Sequence, residues 1–216
     1  MTGHYTRARL GLGFLLALSV VPAGCVQGTG PVTTETRDVR PFTSIEAGAG
    51  IQVEISTGSP ARLEVSAQSN ILAAIATTVS GGTLTIDASE DFTTSEPVTV
   101  TVSAPTLDGI SLSGGAQARL DGVAADELAF TVKGGARLTV VGTSETVTLT
   151  ADGGSTADLR GLVARTVAVS LAGGATATVS ASDAVNGSAS GGARLTVVGG
   201  AHLAVAESGG AAVASE

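Results

Sequence analysis

The second half of the chain alternates apolar and polar residues with a period of two, and the alternation restarts at nearly equal intervals. Diglycine pairs stand at 114–115, 134–135, 153–154, 173–174, 191–192 and 209–210, spaced by 20, 19, 20, 18 and 18 residues. Each pair is followed by a small residue: Ala116, Ala136, Ser155, Ala175, Ala193 and Ala211. The next two alternate positions hold Ala118, Leu138, Ala157, Ala177, Leu195 and Val213, then Leu120, Val140, Leu159, Val179, Val197 and Ser215. Between them lie Gln117, Arg137, Thr156, Thr176 and Arg194, then Arg119, Thr139, Asp158, Thr178 and Thr196. This is the pattern of a strand with one buried face. A second alternating run precedes each pair, as in Leu128-Phe130-Val132, Val147-Leu149-Ala151 and Val167-Val169-Leu171. Each repeat therefore holds at least two short strands with glycines at the corner between them, where the backbone can turn without a Cβ. Asp121 to Asp126 and Thr143 to Glu145 read as polar turns.

A strand unit that recurs in phase buries its apolar face when equivalent strands stack in parallel, one coil on the next. The fold class expected is all-β, a parallel β-helix (solenoid) of about 18–20 residues per coil, with a β-sandwich as the alternative. Stacked coils put equivalent residues ~4.8 Å apart. Lys133 and Asp152, each just before a glycine pair, are then expected to form a surface ion pair. Ser111, Thr131, Thr150, Ser170 and Ser188 are expected to align as a hydroxyl ladder. Glu207 falls in the inward slot held earlier by Leu112, Val132 and Leu171, which marks the last coil as frayed or as a polar cap.

The front half is also strand-like. Ile51-Val53-Ile55, Leu63-Val65, Leu84-Ile86 and Val98-Val100-Val102 alternate with polar residues, and Pro41, Gly58-Ser59-Pro60, Gly81-Gly82 and Glu96-Pro97 punctuate them. Ile45 to Ile55 can be laid over Ile110 to Leu120 without a gap, so the repeat reaches back to about residue 45. Asn70 to Val79 reads as a helical turn or a bulged strand. The expected organisation is one continuous domain, 41–216, with irregular coils over 41–105 and regular coils over 106–216.

Residues 1–24 have the form of a secretory signal peptide: Arg7 and Arg9 with no acid, an apolar run from Leu10 to Val21, then Pro22-Ala23-Gly24. The run is too short to span a bilayer, which takes about 20 residues. The single cysteine, Cys25, follows directly. Ala23-Gly24-Cys25 resembles the bacterial lipoprotein signal, although Pro22 departs from the aliphatic residue usual there. The resemblance implies lipidation of Cys25 as the mature N-terminus and, with Val26 rather than Asp next, sorting to the outer membrane in a Gram-negative host. Residues 25–40, rich in Gly, Thr and Pro, are expected to be a flexible tether.

Composition narrows the function. The chain has 11 basic and 19 acidic residues, a net charge of −8, which argues against a nucleic-acid partner. Phe42, Phe92 and Phe130 are the only aromatics beyond the leader, so no stacked ring platform is available. One cysteine excludes a disulfide framework. Two histidines, His4 and His202, cannot build a His-based triad or a multi-His metal site. The outward columns hold mainly Thr, Ser and Ala. Asp158 has no second acid in its column, and Asp121, Asp126 and Glu127 read as solvated turn charges. Gly153 to Asp158 lacks the third glycine of a calcium-binding nonapeptide. The expectation is no catalytic residue, no metal site and no cofactor.

Phe42-Thr43-Ser44-Ile45, Gly50 to Ile55, Gly81 to Ile86 and Ala104 to Leu107, followed by Gly-rich coils, resemble the auto-transporter adhesin head domain family over roughly 40–205. The resemblance implies a right-handed parallel β-helix and an envelope or surface location, and it carries no catalytic set. The function expected is that of a non-enzymatic, lipid-anchored cell-envelope protein. It would be held to the membrane through Cys25 and present Thr/Ser/Arg-rich faces to a surface polymer or protein. A structural spacer without a specific ligand is the alternative, and a polysaccharide lyase or hydrolase ranks behind both.

Overall fold

A computed structural model describes residues 25–58 and 60–216; the signal peptide expected over 1–24 lies outside them. In chain order the strands are β1 (Val26–Gln27), β2 (Val32–Arg37), β3 (Ser44–Ala47), β4 (Gln52–Thr57), β5 (Arg62–Gln68), β6 (Ile75–Ser80), β7 (Thr83–Ala88), β8 (Phe92–Thr93) and β9 (Thr99–Ala104). They continue as β10 (Gly109–Leu112), β11 (Gln117–Val132), β12 (Arg137–Ala151), β13 (Thr156–Leu171), β14 (Thr176–Ala189), β15 (Arg194–Val198), β16 (His202–Glu207) and β17 (Ala212–Ser215). A 3-10 turn, Leu72–Ala74, precedes β6. Asn70 to Val79 thus supplies both expected elements in succession, a turn and then a strand.

The fold is a parallel β-solenoid. On its first face β7, β3, β10, the C-terminal halves of β11 to β14 and then β16 pair in parallel. On its second face β9, β4, the N-terminal halves of β11 to β14, β15 and β17 do the same. Inward residues form continuous columns. Val100, Val53, Ala118, Leu138, Ala157, Ala177, Leu195 and Val213 follow one another in register, and all but the last are buried. Each buried Val or Leu is worth roughly 1.5–3 kcal/mol, and a one-residue slip would turn a whole strand's apolar set outward. The core therefore sets the register.

The stretches expected as turns close a third side. Val123 pairs with Gly142, Ala125 with Ser144 and Ser144 with Ala164, with register shifts at the corners. Val123, Leu162, Ala164 and Ala181 are buried there, which is why these segments pair instead of looping outward.

The six diglycine sites lie in a file along one edge. A Cβ on Gly134 would sit 3.5 Å from the amide nitrogen of Gly114, one on Gly153 3.3 Å from that of Gly134, one on Gly173 3.1 Å from that of Gly153, and one on Gly209 3.1 Å from that of Gly191. The first glycine of every pair has φ between 54° and 69°.

The N-terminal region departs from the expected series of long coils. Ile45 pairs with Ile110 and Ile55 with Leu120, as the ungapped overlay requires. After β4, however, the chain doubles back. Residues 83–104 supply the coil beneath β3 and β4, and the chain then crosses to β10 above them. Antiparallel strands close that end: β6 on β7 through the Gly81-Gly82 hairpin, β5 on β9, and β2 on β5. Residues 25–40 are also not a free tether. β1 pairs with β8, the Thr29 amide donates to Asn70 Oδ1 (2.7 Å), Asn70 Nδ2 donates to the Gln27 carbonyl (2.8 Å), and β2 lies along β5. These backbone groups find partners in the domain, so the segment is anchored although its composition is that of a linker.

Candidate functional site: the outer faces of the rod

The first face carries three outward columns: Glu127-Thr146-Thr166-Ala184-His202, Ala129-Thr148-Ala168-Asn186-Ala204, and Ser111-Thr131-Thr150-Ser170-Ser188-Ala206. The last is the expected hydroxyl ladder, in register throughout. From β12 to β14 none of these positions is charged, and Thr146 and Thr166 bring their hydroxyls to 3.4 Å.

The second face carries charged residues within its columns. One column runs Gln52-Gln117-Arg137-Thr156-Thr176-Arg194, and the next runs Glu54-Arg119-Thr139-Asp158-Thr178-Thr196. The arginines are not equivalent. Arg119 donates from Nε and Nη2 to both carboxylate oxygens of Asp121, at 2.7 and 2.8 Å. Arg137 and Arg194 make no ion pair among the described residues.

Lys133 and Asp152 do not form the expected ion pair. The Asp152 amide donates to the Val132 carbonyl, so the two positions are adjacent in the stack. The Asp152 carboxylate turns to its own corner and accepts the Gly153 N–H at 2.6 Å. A local hydrogen bond to an otherwise open amide competes with an exposed pair worth ~1 kcal/mol at most.

Glu207 sits above Ala189 in the inward column and is exposed, because no coil of the described residues covers it. Cys25 is a free, exposed thiol next to β1. Among the described residues no group of three His, Cys, Asp or Glu side chains could hold a metal ion, and no helix is long and apolar enough to cross a membrane.

One feature of the surface escaped the sequence. Where the chain crosses from β9 to β10, a cleft of about 1180 Å³ opens, lined by Thr57, Pro105, Leu107, Asp108, Asp126 and Glu127 among others. Asp126 and Glu127 were visible as an acidic turn. Asp108 joins them only because of the crossover, which no local pattern announces.

A family model described as "Putative auto-transporter adhesin, head GIN domain" matches residues 41–201. The chain belongs to this family. Among solved structures, a putative adhesin from Bacteroides fragilis NCTC 9343 superimposes with a TM-score of 0.74 at 18% identity, over 88% of this chain and 100% of that one. A putative adhesin from Parabacteroides merdae ATCC 43184 gives 0.58 at 16% identity, over 88% and 98%. A putative lipid binding protein from Parabacteroides distasonis ATCC 8503 gives 0.55 at 13%, over 89% and 100%. At such identities the likeness is one of fold. No curated protein matches the chain significantly.

Proposed function

We propose that the protein is an exported, non-enzymatic adhesin-like rod, anchored to the bacterial envelope by lipid at Cys25, whose second face contacts a surface polymer or protein. The observation that carries this reading is the set of outward columns that stay in register within each of the two faces from β11 to β14, the shifts falling at the third side, in a member of an adhesin head family. A stiff sheet with side chains at a ~4.8 Å repeat suits a ligand that is itself extended and repetitive. Arg137 and Arg194, three strand spacings apart in one column, supply uncompensated positive charge on a chain of net charge −8. They favour an acidic group on the partner. The packing of residues 26–37 implies an anchor that holds the rod close against the membrane rather than on a leash.

The deciding experiment is metabolic labelling with palmitate and membrane fractionation of the wild type and Cys25→Ala. Labelled protein in the envelope fraction, with label and membrane association lost in the variant, supports the anchored reading. Unlabelled wild-type protein refutes it.

A further inference from the structure

The segment from Cys25 to Arg37 is stitched to the domain and yet contributes little to its core. β1 pairs with β8 over two residues, Gln27 and Thr29 are hydrogen-bonded to Asn70, Gln68 Nε2 donates to the Gly30 carbonyl at 3.4 Å, and β2 pairs with β5 from Val32 to Arg37. Between Val26 and Val39, however, no apolar side chain packs against the core. Every residue of β2 before Arg37 is exposed, Val32 included. Backbone bonds hold the segment where burial does not, and such elements open at a lower free energy than the body of a fold.

The body does not depend on β2. Leu63 and Val65 of β5 are fully buried, and β9 holds them from the other edge, opposite Val102 and Val100. The strand that seals this end of the core therefore stays paired when β2 leaves. The boundary between the two regimes is Arg37. Its guanidinium donates to Ile75 O at 2.5 Å and to Leu72 O and Thr77 Oγ1, each at 3.0 Å. Beyond it Arg40 donates to Val79 O, and Phe42 is buried in the core.

The direction of load matters as well. β2, β5, β9 and β4 follow one another at the N-terminal end of the second face. The bonds of such a ladder lie across its strands, and so along the rod. A pull between β11 to β15 and Cys25 strains them end-on and from one side: β1 first, then Thr29, then β2 from Val32 towards Arg37. Bonds loaded in this way open one after another instead of sharing the load in shear.

We propose that residues 25–36 are a releasable strap, docked on the rod at rest, peeled from it under tension and stopped at Arg37. The proposal rests on the anchored reading above, which supplies the load. Peeling frees about 12 residues, from Cys25 to Arg37, and lengthens the tether by roughly 40 Å of extended chain. The Gly-, Thr- and Pro-containing composition of a linker suits the released state, and the backbone bonds suit the docked one. The rod thus stands close to the membrane until a bound partner draws away, and then yields without unravelling.

The phase of the ladder supplies matched variants. The Ser69 amide donates to the Pro31 carbonyl at 3.0 Å. By antiparallel alternation the N–H groups of Thr33 and Glu35 then point at β5, and those of Val32 and Thr34 point away. Optical tweezers on the full chain test the strap. One handle is attached to the thiol of Cys25, the single cysteine, and the other to an azide-bearing residue in place of the exposed Thr176 on the second face. The parent is expected to lengthen first by about 12 residues, reversibly, and to unfold the solenoid in a separate step at higher force. Arg37→Ala is expected to enlarge the first step to about 17 residues, the distance from Cys25 to Phe42. Thr33→Pro is expected to lower the force of the first step, and Thr34→Pro, which removes an outward N–H, to leave it as in the parent. A parent that unfolds in one step overturns the proposal. So does a first step that Arg37→Ala leaves unchanged, or that the two prolines alter alike. Palmitate labelling decides the anchor separately. A labelled chain that unfolds in one step defeats the strap and leaves the anchor standing. A two-step trace from a chain that takes no label upholds the strap and defeats its use as a membrane tether.

Discussion

Ala49 lies directly beneath Gly114 in the corner file, and both have φ of 54°. The Gly50 amide donates to the Gly114 carbonyl at 3.0 Å, so the two corners share one hydrogen-bonded geometry. Among the described residues Ala49 is the one non-glycine with positive φ, a conformation that costs an L-residue roughly 1–2 kcal/mol. Ala49→Gly is expected to raise stability by up to about 1 kcal/mol, because glycine's greater freedom in the unfolded chain offsets part of the relief. Gly153→Ala, at φ 69° and with a Cβ 3.3 Å from the Gly134 amide nitrogen, is expected to lose at least as much as Ala49 already spends. Thermal unfolding of the two variants, shifting in opposite directions, checks the pair.

Ser155 interrupts a column of alanines. It is 1% exposed, and its hydroxyl has no hydrogen-bond partner. Ala116, Ala136, Ala175 and Ala193 hold the equivalent place in other coils and are all buried. An unsatisfied buried hydroxyl costs about 1–3 kcal/mol. Ser155→Ala is expected to stabilise the protein by about 1 kcal/mol, measured as a higher denaturant midpoint at unchanged slope.

Arg37 joins three pieces of the N-terminal cap. From the end of β2 its guanidinium reaches Ile75 O, Thr77 Oγ1 and, at 3.0 Å, Leu72 O, while Nε lies 3.1 Å from Glu35 Oε1. Its side chain is only 16% exposed. Arg37→Ala is expected to cost about 1–3 kcal/mol by leaving these carbonyls without their charged donor. Hydrogen exchange should show the loss concentrated in β2, β5 and β6, with β11 to β14 protected as before.

The regular coils were legible because each constraint on them repeats. Glycine at the corner recurs six times and alanine after it five times, with alternation on both sides, and the one misfit, Ser155, does not hide the phase. The cap was not legible, because antiparallel strands alternate just as parallel ones do. Nothing in Leu63-Val65 or Leu84-Ile86 says which neighbour each strand takes. Gly81-Gly82 looks like another corner pair and is a hairpin turn. The segment from Val26 to Arg37 illustrates a different limit. Its Thr- and Gly-rich composition shows no buried face, and it is held by backbone hydrogen bonds that composition does not encode. The same gap hid the cleft, whose wall at Asp108 arises from the crossover alone. The Lys133–Asp152 pair failed for an energetic reason: adjacency was right, but a nearer partner took the carboxylate.

The arginines of the second face separate structure from contact. Arg119 is committed to Asp121 through two hydrogen bonds, whereas Arg137 and Arg194 project from a threonine-bearing column with no ion pair among the described residues. If that column meets an acidic partner, Arg137→Ala and Arg194→Ala together should weaken binding of cell-surface material several-fold, with the effect shrinking as salt is raised. Stability should stay within about 0.5 kcal/mol of the parent, because neither side chain is buried. Arg119→Ala should change binding little, since its charge is already neutralised. Pull-down of envelope polymer at low and high salt, with the three variants side by side, checks this. Equal binding by the double variant at low salt would remove the second face as the contact.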